Sequence, residues 1–243
     1  MNELAKSIDY DGHEDAPSFL QGVKDCVPTL IGYISLGIAT GIVGVASGVS
    51  VLEIGLFSAL VYAGAAQFII FALLVSQSPV SAIIFTTFIV NSRNFLLSMT
   101  LAPYFTKYSF WKNIGIGALV TDESFGVAIT KITKNEKMSA QWMNGLNVTA
   151  YFFWILSSVA GALLGNWIAN PEVLGLDFAL TAMFLALVAA QLEHIQKTKL
   201  KLYLSLILYE VIAMLFFSLF MPSYLAVILS TVIVATIGVV KDR

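Results

Sequence analysis

The chain alternates apolar runs of about 20 residues, the length at which a helix spans hydrocarbon, with short polar links. Eight runs are predicted: Pro28 to Val49, Val51 to Val75, Ser81 to Leu101, Asn113 to Ile132, Trp142 to Ala169, one from near Gly175 to near Glu193, Leu202 to Phe220, and Tyr224 to Val240. Residues 1–20 are polar and acid-rich, with Asp9, Asp11, Glu14 and Asp15 and no basic leader, so a solvated tail is expected there rather than a cleavable signal. Residues 21–243 read as a single all-α membrane domain, a polytopic transmembrane helical bundle of seven or eight spans, some of them broken.

Polar residues interrupt the apolar pattern at a few places, and these are the candidates for function. In the third run, Thr87, Asn91, Asn94 and Ser98 fall on one helical face, and Arg93 stands about 100° from Asn94 on the neighbouring stripe. An arginine at membrane depth costs roughly 2.5–3.5 kcal/mol on insertion scales and should face protein or water. Its planar fork suits an anionic substrate group. Snorkelling to an interface, or pairing with a structural carboxylate, is the plainer alternative.

In the second run, Tyr62-Ala63-Gly64-Ala65-Ala66-Gln67 sets four small residues before an amide. Gln67 suits either a substrate or a hydrogen bond to another helix. The fourth run is interrupted at Thr121-Asp122-Glu123-Ser124, where adjacent carboxylates must be paired, protonated or wet. Thr121 or Asp122 can equally cap a new helix there. Asp177 reads as a helix cap or a substrate contact, and Glu210 as a proton relay or a structural hydrogen bond. Gly37, Gly41, Gly44 and Gly48, spaced 4, 3 and 4, form a seam for close helix packing or an unwound ligand site.

Composition narrows the class. Of 243 residues, 58% are hydrophobic and 12% charged, against about 25% charged in a soluble domain. The basic groups at Lys131 to Lys137, Lys197 to Lys201 and Lys241 to Arg243 are separated by two runs each, so they share one side, the cytoplasmic one. Whether the fourth run crosses decides the side of the N-terminus. A single cysteine, Cys26, excludes an internal disulfide, and His13 and His194 lie far apart. Metalloprotease, nucleophile-elbow and phosphate-loop motifs are absent. No enzyme activity, cofactor, metal or nucleic-acid partner is therefore expected.

Four motifs in order, YAGAAQF from Tyr62, VNSRNFLLSMTLAP from Val90, LVTDESF from Leu119 and LGLDFAL from Leu174, resemble those of the AzlC family of branched-chain amino acid exporters. The resemblance runs from about Gly22 to Val188. It implies the large subunit of a bacterial plasma (inner) membrane system for leucine, isoleucine, valine and sometimes methionine, working beside a small hydrophobic AzlD-type subunit. Family members often carry His directly after the motif arginine, where this chain has Asn94. A zwitterionic substrate would place its carboxylate on Arg93, Asn91 and Asn94, with Gln67 as a further polar contact. Its ammonium would face Asp122, Glu123 or Asp177. With no nucleotide site, an ion gradient would drive transport, and Glu123 or Glu210 would bind the coupling ion.

Overall fold

The computed structural model describes residues 16–167 and 197–241, with residues 185, 188–189 and 192 between them. Residues 1–15 of the acidic tail, most of the sixth run with Asp177, Glu193 and His194, the LGLDFAL motif, Asp242 and Arg243 lie outside the described residues. Among the described residues the chain is all-helical, as expected. It falls into two compact units, residues 1–78 with 87–177 and residues 79–86 with 178–243.

The first unit is built on two long helices, α1 (Phe19–Ala46) and α7 (Ala140–Gly165). They approach so closely that glycine is required on both sides. A Cβ added at Gly41 would lie 2.1 Å from the Ser158 carbonyl oxygen, and one at Gly161 would lie 2.2 Å from that of Ile38. The glycine seam expected from spacing therefore packs; α1 is continuous through it. Gly44 meets Ile54 and Phe71 instead, and Gly48, at φ +83°, lies in the left-handed turn beyond the helix end.

Helix α1 begins at Phe19, not Pro28 as the hydropathy suggests. Ser18 caps it by accepting from the Gln21 amide, and Pro28 lies inside. The polar first turns are held by tertiary contacts invisible to hydropathy. Asp25 accepts from Trp142 Nε1 at 2.8 Å and from Gln21 Nε2 at 2.8 Å, and lies 3.6 Å from the Lys131 ammonium. Lys131 also covers the Trp142 ring and donates to Glu136 at 2.9 Å. That bond holds the exposed Glu136 carboxyl below the usual glutamate range, so its contribution is present at neutral pH and fades as pH falls through the lowered value.

Between the long helices the predicted second and fourth runs are each divided. The second becomes α2 (Val51–Leu60) and α3 (Gly64–Val75). Helix α4 (Val80–Leu101) follows, then a 3-10 turn (Ala102–Phe105) opened by Pro103. The fourth run becomes α5 (Phe110–Ala118) and α6 (Asp122–Thr133). These four helices have 9 to 12 residues, about 14–18 Å each and roughly half a hydrocarbon layer. Each break therefore belongs at mid-membrane depth if the pair crosses.

The second unit's described helices are α8 (Lys197–Ser218) and α9 (Ser223–Lys241), an antiparallel hairpin. Glu210 accepts from Ser230 Oγ at 2.6 Å and from Thr231 Oγ1 at 3.3 Å, which joins the two helices. Lys241 donates to the Tyr209 hydroxyl at 3.3 Å and sits over its ring. Among the described residues, α1, α4 with its 3-10 turn, α7 and α8 are each long and apolar enough to cross a bilayer.

Candidate functional site

Breaking a helix in hydrocarbon strands carbonyls at one half's end and N–H groups at the other's start, each costing several kcal/mol if left unpaired. Both breaks span three residues, 61–63 and 119–121, and one face of α7 serves them both. The Tyr151 hydroxyl donates to the Ala59 carbonyl at 2.8 Å, and Asn147 Nδ2 donates to the Ile116 carbonyl at 3.1 Å. These side chains are four residues apart and so lie on the same side of the helix. Ser98 of α4 donates to the Gly117 carbonyl at 2.9 Å.

Replacing Tyr151 with Phe keeps the ring, which packs edge-on against Tyr62 at 4.8 Å, but removes the donor to Ala59. The variant should be about 1–3 kcal/mol less stable, read as a lower melting midpoint in detergent with unchanged helix content. An unchanged midpoint would mean that the Ala59 carbonyl is satisfied another way.

The two N-terminal ends differ. Helix α6 is closed by a capping box in which the Thr121 hydroxyl accepts from the Ser124 amide while Ser124 Oγ accepts from the Thr121 amide at 2.9 Å. Asp122 and Glu123 in its first turn complement the helix dipole. Thr121, one of the two caps the sequence allowed, is the one used. Helix α3 has no side-chain cap: Ala63 precedes it, and Tyr62 before that sits at φ +39°. A non-glycine residue there costs on the order of 1–2 kcal/mol and persists only where its surroundings fix it.

A band of hydroxyls joins the breaks. The Tyr33 hydroxyl of α1 is hydrogen-bonded to Thr121, and the Tyr33 ring packs edge-on to Trp154 at 6.3 Å. Trp154, one turn beyond Tyr151, lies over Gly64 at the start of α3, where an added Cβ would come within 2.8 Å of the indole. The Glu123 carboxylate lies within electrostatic reach of the Tyr33 and Tyr62 hydroxyls. Arg93 is paired with Asp122 at 2.7 Å, joining α4 to the start of α6, with the side chains 32% and 27% exposed.

The predicted residues thus divide. Arg93 and Asp122 are brought together, and Glu123 adjoins them in sequence at the same break. Asn94 has a buried, unpartnered Oδ1, and Asn91 is half-buried one turn earlier on α4. Gln67 donates to Ser58 at 3.2 Å across the α2–α3 break, the helix-to-helix alternative, while its Oε1 stays buried and unpartnered. Glu210 belongs to the α8–α9 hairpin. Sequence reasoning singled out none of Tyr33, Asn147, Tyr151 or Trp154. Asn147 carries the same signal as Gln67, an amide in an apolar run; the three aromatics are indistinguishable by type from ordinary membrane core.

The geometry can be set beside known proteins. The family model described as AzlC protein matches residues 28–168, which include both broken helices, Arg93 and the supporting face of α7. The inner membrane protein YgaZ of Escherichia coli K12 is 30% identical over 74% of this chain and 75% of its own length. An uncharacterized membrane protein of Archaeoglobus fulgidus is 30% identical over 79% of this chain and 80% of its own. The branched-chain amino acid transport protein AzlC of Bacillus subtilis 168 is 25% identical over 68% of this chain and 64% of its own. No solved structure matches. The motifs that frame both breaks lie inside the matched span, and this helical membrane chain belongs to the AzlC family.

Proposed function

We propose that the chain is a secondary transporter that exports branched-chain amino acids, leucine, isoleucine and valine with methionine as a further substrate, across the bacterial plasma membrane. In this reading it is the large subunit of a pair whose other member is a small hydrophobic AzlD-type protein, and an ion gradient drives export. One observation carries the reading: two apolar helices interrupted at matching three-residue breaks and held by the same face of α7. Discontinuous helices place exposed peptide groups where a polar substrate needs them, and half-helices can shift against a fixed partner during alternating access. The relative named for branched-chain amino acid transport supports the substrate class.

Arg93 and Asp122 then form a latch beside the α5–α6 break, which opens and recloses as the substrate passes, with Asn91 and Asn94 lining the same helix. Glu123 is the candidate for the coupling proton. Glu210 would serve only if it left Ser230 and Thr231.

Export of labelled leucine from loaded vesicles, with and without the small subunit, tests this. Wild type should export leucine, and Arg93→Lys, which keeps the charge but loses the planar fork, should lose about tenfold or more at equal membrane abundance. Leucine export at the wild-type rate by Arg93→Lys would remove the latch from the mechanism. No export by wild type with its partner would remove the substrate class.

The pair itself favours a second reading, in which the chain is a membrane scaffold and Arg93–Asp122 is purely structural. The two readings separate on a charge swap.

A further inference from the structure

Helix α6 is held to α1 at both of its ends. At its start, beside the break at residues 119–121, the Thr121 hydroxyl is bonded to Tyr33. At its far end the Lys131 ammonium lies 3.6 Å from the Asp25 carboxylate, with side chains 12% and 27% exposed, and it covers the Trp142 ring of α7. Residues 134–138, which link α6 to α7, have no helix of their own.

Beneath that far end the chain is apolar and sealed. Ala128, three positions before Lys131 and so on the same side of α6, is fully buried, as are Cys26, Trp142 and Met143. All four belong to the buried cluster that also contains Tyr33 and Tyr62. Cys26 follows Asp25 directly, and its thiol lies within electrostatic reach of both tyrosine hydroxyls. A path from Lys131 inward therefore runs past Cys26 to the two breaks, and α6 covers it.

The Asp25–Lys131 pair is built so that both partners stay satisfied when it parts. Asp25 keeps its hydrogen bonds from Trp142 and Gln21, and Lys131 keeps Glu136 at 2.9 Å in the link. Neither charge is then left buried and alone, the condition that makes breaking an ion pair expensive. A lysine ammonium also re-forms its pair without the strict geometry of an arginine fork. Helices α1 and α7 cannot follow α6, because Gly22 and Gly145 lock them backbone to backbone at this end.

We propose that Asp25 and Lys131 are the clasp of a gate through which the exported substrate enters, with α6 as the moving part, hinged at residues 119–121. The basic residues from Lys131 to Lys137 turn this end toward the cytoplasm. The inference rests on the transport reading. When the clasp parts, the 12 residues of α6, a lever of about 18 Å, lift Ala128 from the cluster and uncover Cys26.

Cys26, the chain's single cysteine, is a native reporter. The test is its rate of alkylation by a charged, water-soluble maleimide in the purified full-length protein, for wild type and Asp25→Asn. Asparagine keeps the shape and an acceptor for Trp142 but removes the charge that faces Lys131. The comparison position is Ile54→Cys in a Cys26→Ser background, with and without Asp25→Asn. Ile54 is fully buried against Gly44 toward the other end of α1. Asp25→Asn should speed the reaction at Cys26 about tenfold, the effect of weakening charge-assisted contacts, and leave the rate at position 54 unchanged. Saturating leucine should slow the Cys26 reaction in the variant by occupying the opened path. Acceleration at Cys26 alone without a leucine effect upholds the gate and counts against the amino-acid reading. An unchanged Cys26 rate overturns the gate, and leaves the amino-acid reading standing where leucine still raises the melting midpoint of wild type. Equal acceleration at both positions also overturns the gate, since Asp25 then only holds the unit together. Lys131→Gln breaks the pair from the α6 side; a wild-type Cys26 rate in it overturns the gate, and it decides alone if Asp25→Asn does not purify.

Discussion

Gly41→Val should prevent the first unit from assembling. The new Cβ would lie 2.1 Å from the Ser158 carbonyl oxygen and 2.4 Å from the Ala162 amide nitrogen, both backbone atoms of α7. No side-chain rotation relieves contact with backbone, so α1 and α7 must separate along the seam that also carries Gly37, Gly145 and Gly161. Overpacking in a core typically costs about 1–3 kcal/mol, and a clash with backbone in the α1–α7 interface belongs at or above the top of that range. The expected result is a collapse in folded protein after mild detergent extraction, seen as loss of the monodisperse peak. Gly32→Val is the internal control: it lies on the same helix, and nothing stands within 4 Å of its added Cβ. Equal yields of the two variants would mean that the α1–α7 contact is not what holds the unit together.

Exchanging the charges of the Arg93–Asp122 pair should restore the protein without restoring transport. Arg93→Asp alone brings two carboxylates to the start of α6 beside Glu123. The loss should fall between the roughly 0–1 kcal/mol of an exposed ion pair and the 3–5 kcal/mol of a buried one, because both groups are about one-third exposed or less. Adding Asp122→Arg recreates opposite charges, so membrane abundance should recover. The cation then sits at the positive end of α6, where the dipole opposes it, and α4 no longer offers a guanidinium fork. Leucine export should therefore stay at background in the double variant. Recovery of export with abundance would favour the scaffold reading, in which the pair matters only as a bond.

Much of this site was written in residue type. Arg93 announced itself as the sole internal arginine among apolar neighbours, and Thr121-Asp122-Glu123-Ser124 announced a helix start because those residues cap and neutralise one. The glycine spacing on α1 gave the seam. The α2–α3 break was not legible in the same way. Ala63, Gly64, Ala65 and Ala66 continue a helical pattern without a capping side chain, and nothing in Tyr62 says that its backbone turns left-handed. That break is decided by a hydroxyl 92 positions away, Tyr151 on the Ala59 carbonyl. The start of α1 escaped for the same reason, since Asp25 looks solvated until Trp142 and Lys131 are folded against it.

The dependence of both breaks on α7 has a consequence for biogenesis. Tyr151 and Asn147 are synthesised after all four half-helices, so while α2 to α6 leave the ribosome the carbonyls of Ala59 and Ile116 have no side chain to accept from. In hydrocarbon the cheapest alternative for those groups is the ordinary helical bond to the residue four positions on. The second run, whose break has no cap of its own, is therefore expected to stay closer to an unbroken helix until α7 is in place. The fourth run already carries the Thr121–Ser124 capping box and the Ser98 bond to Gly117, so its break does not wait for α7. A chain truncated before residue 147 would then keep one break and lose the side chain that fixes the other.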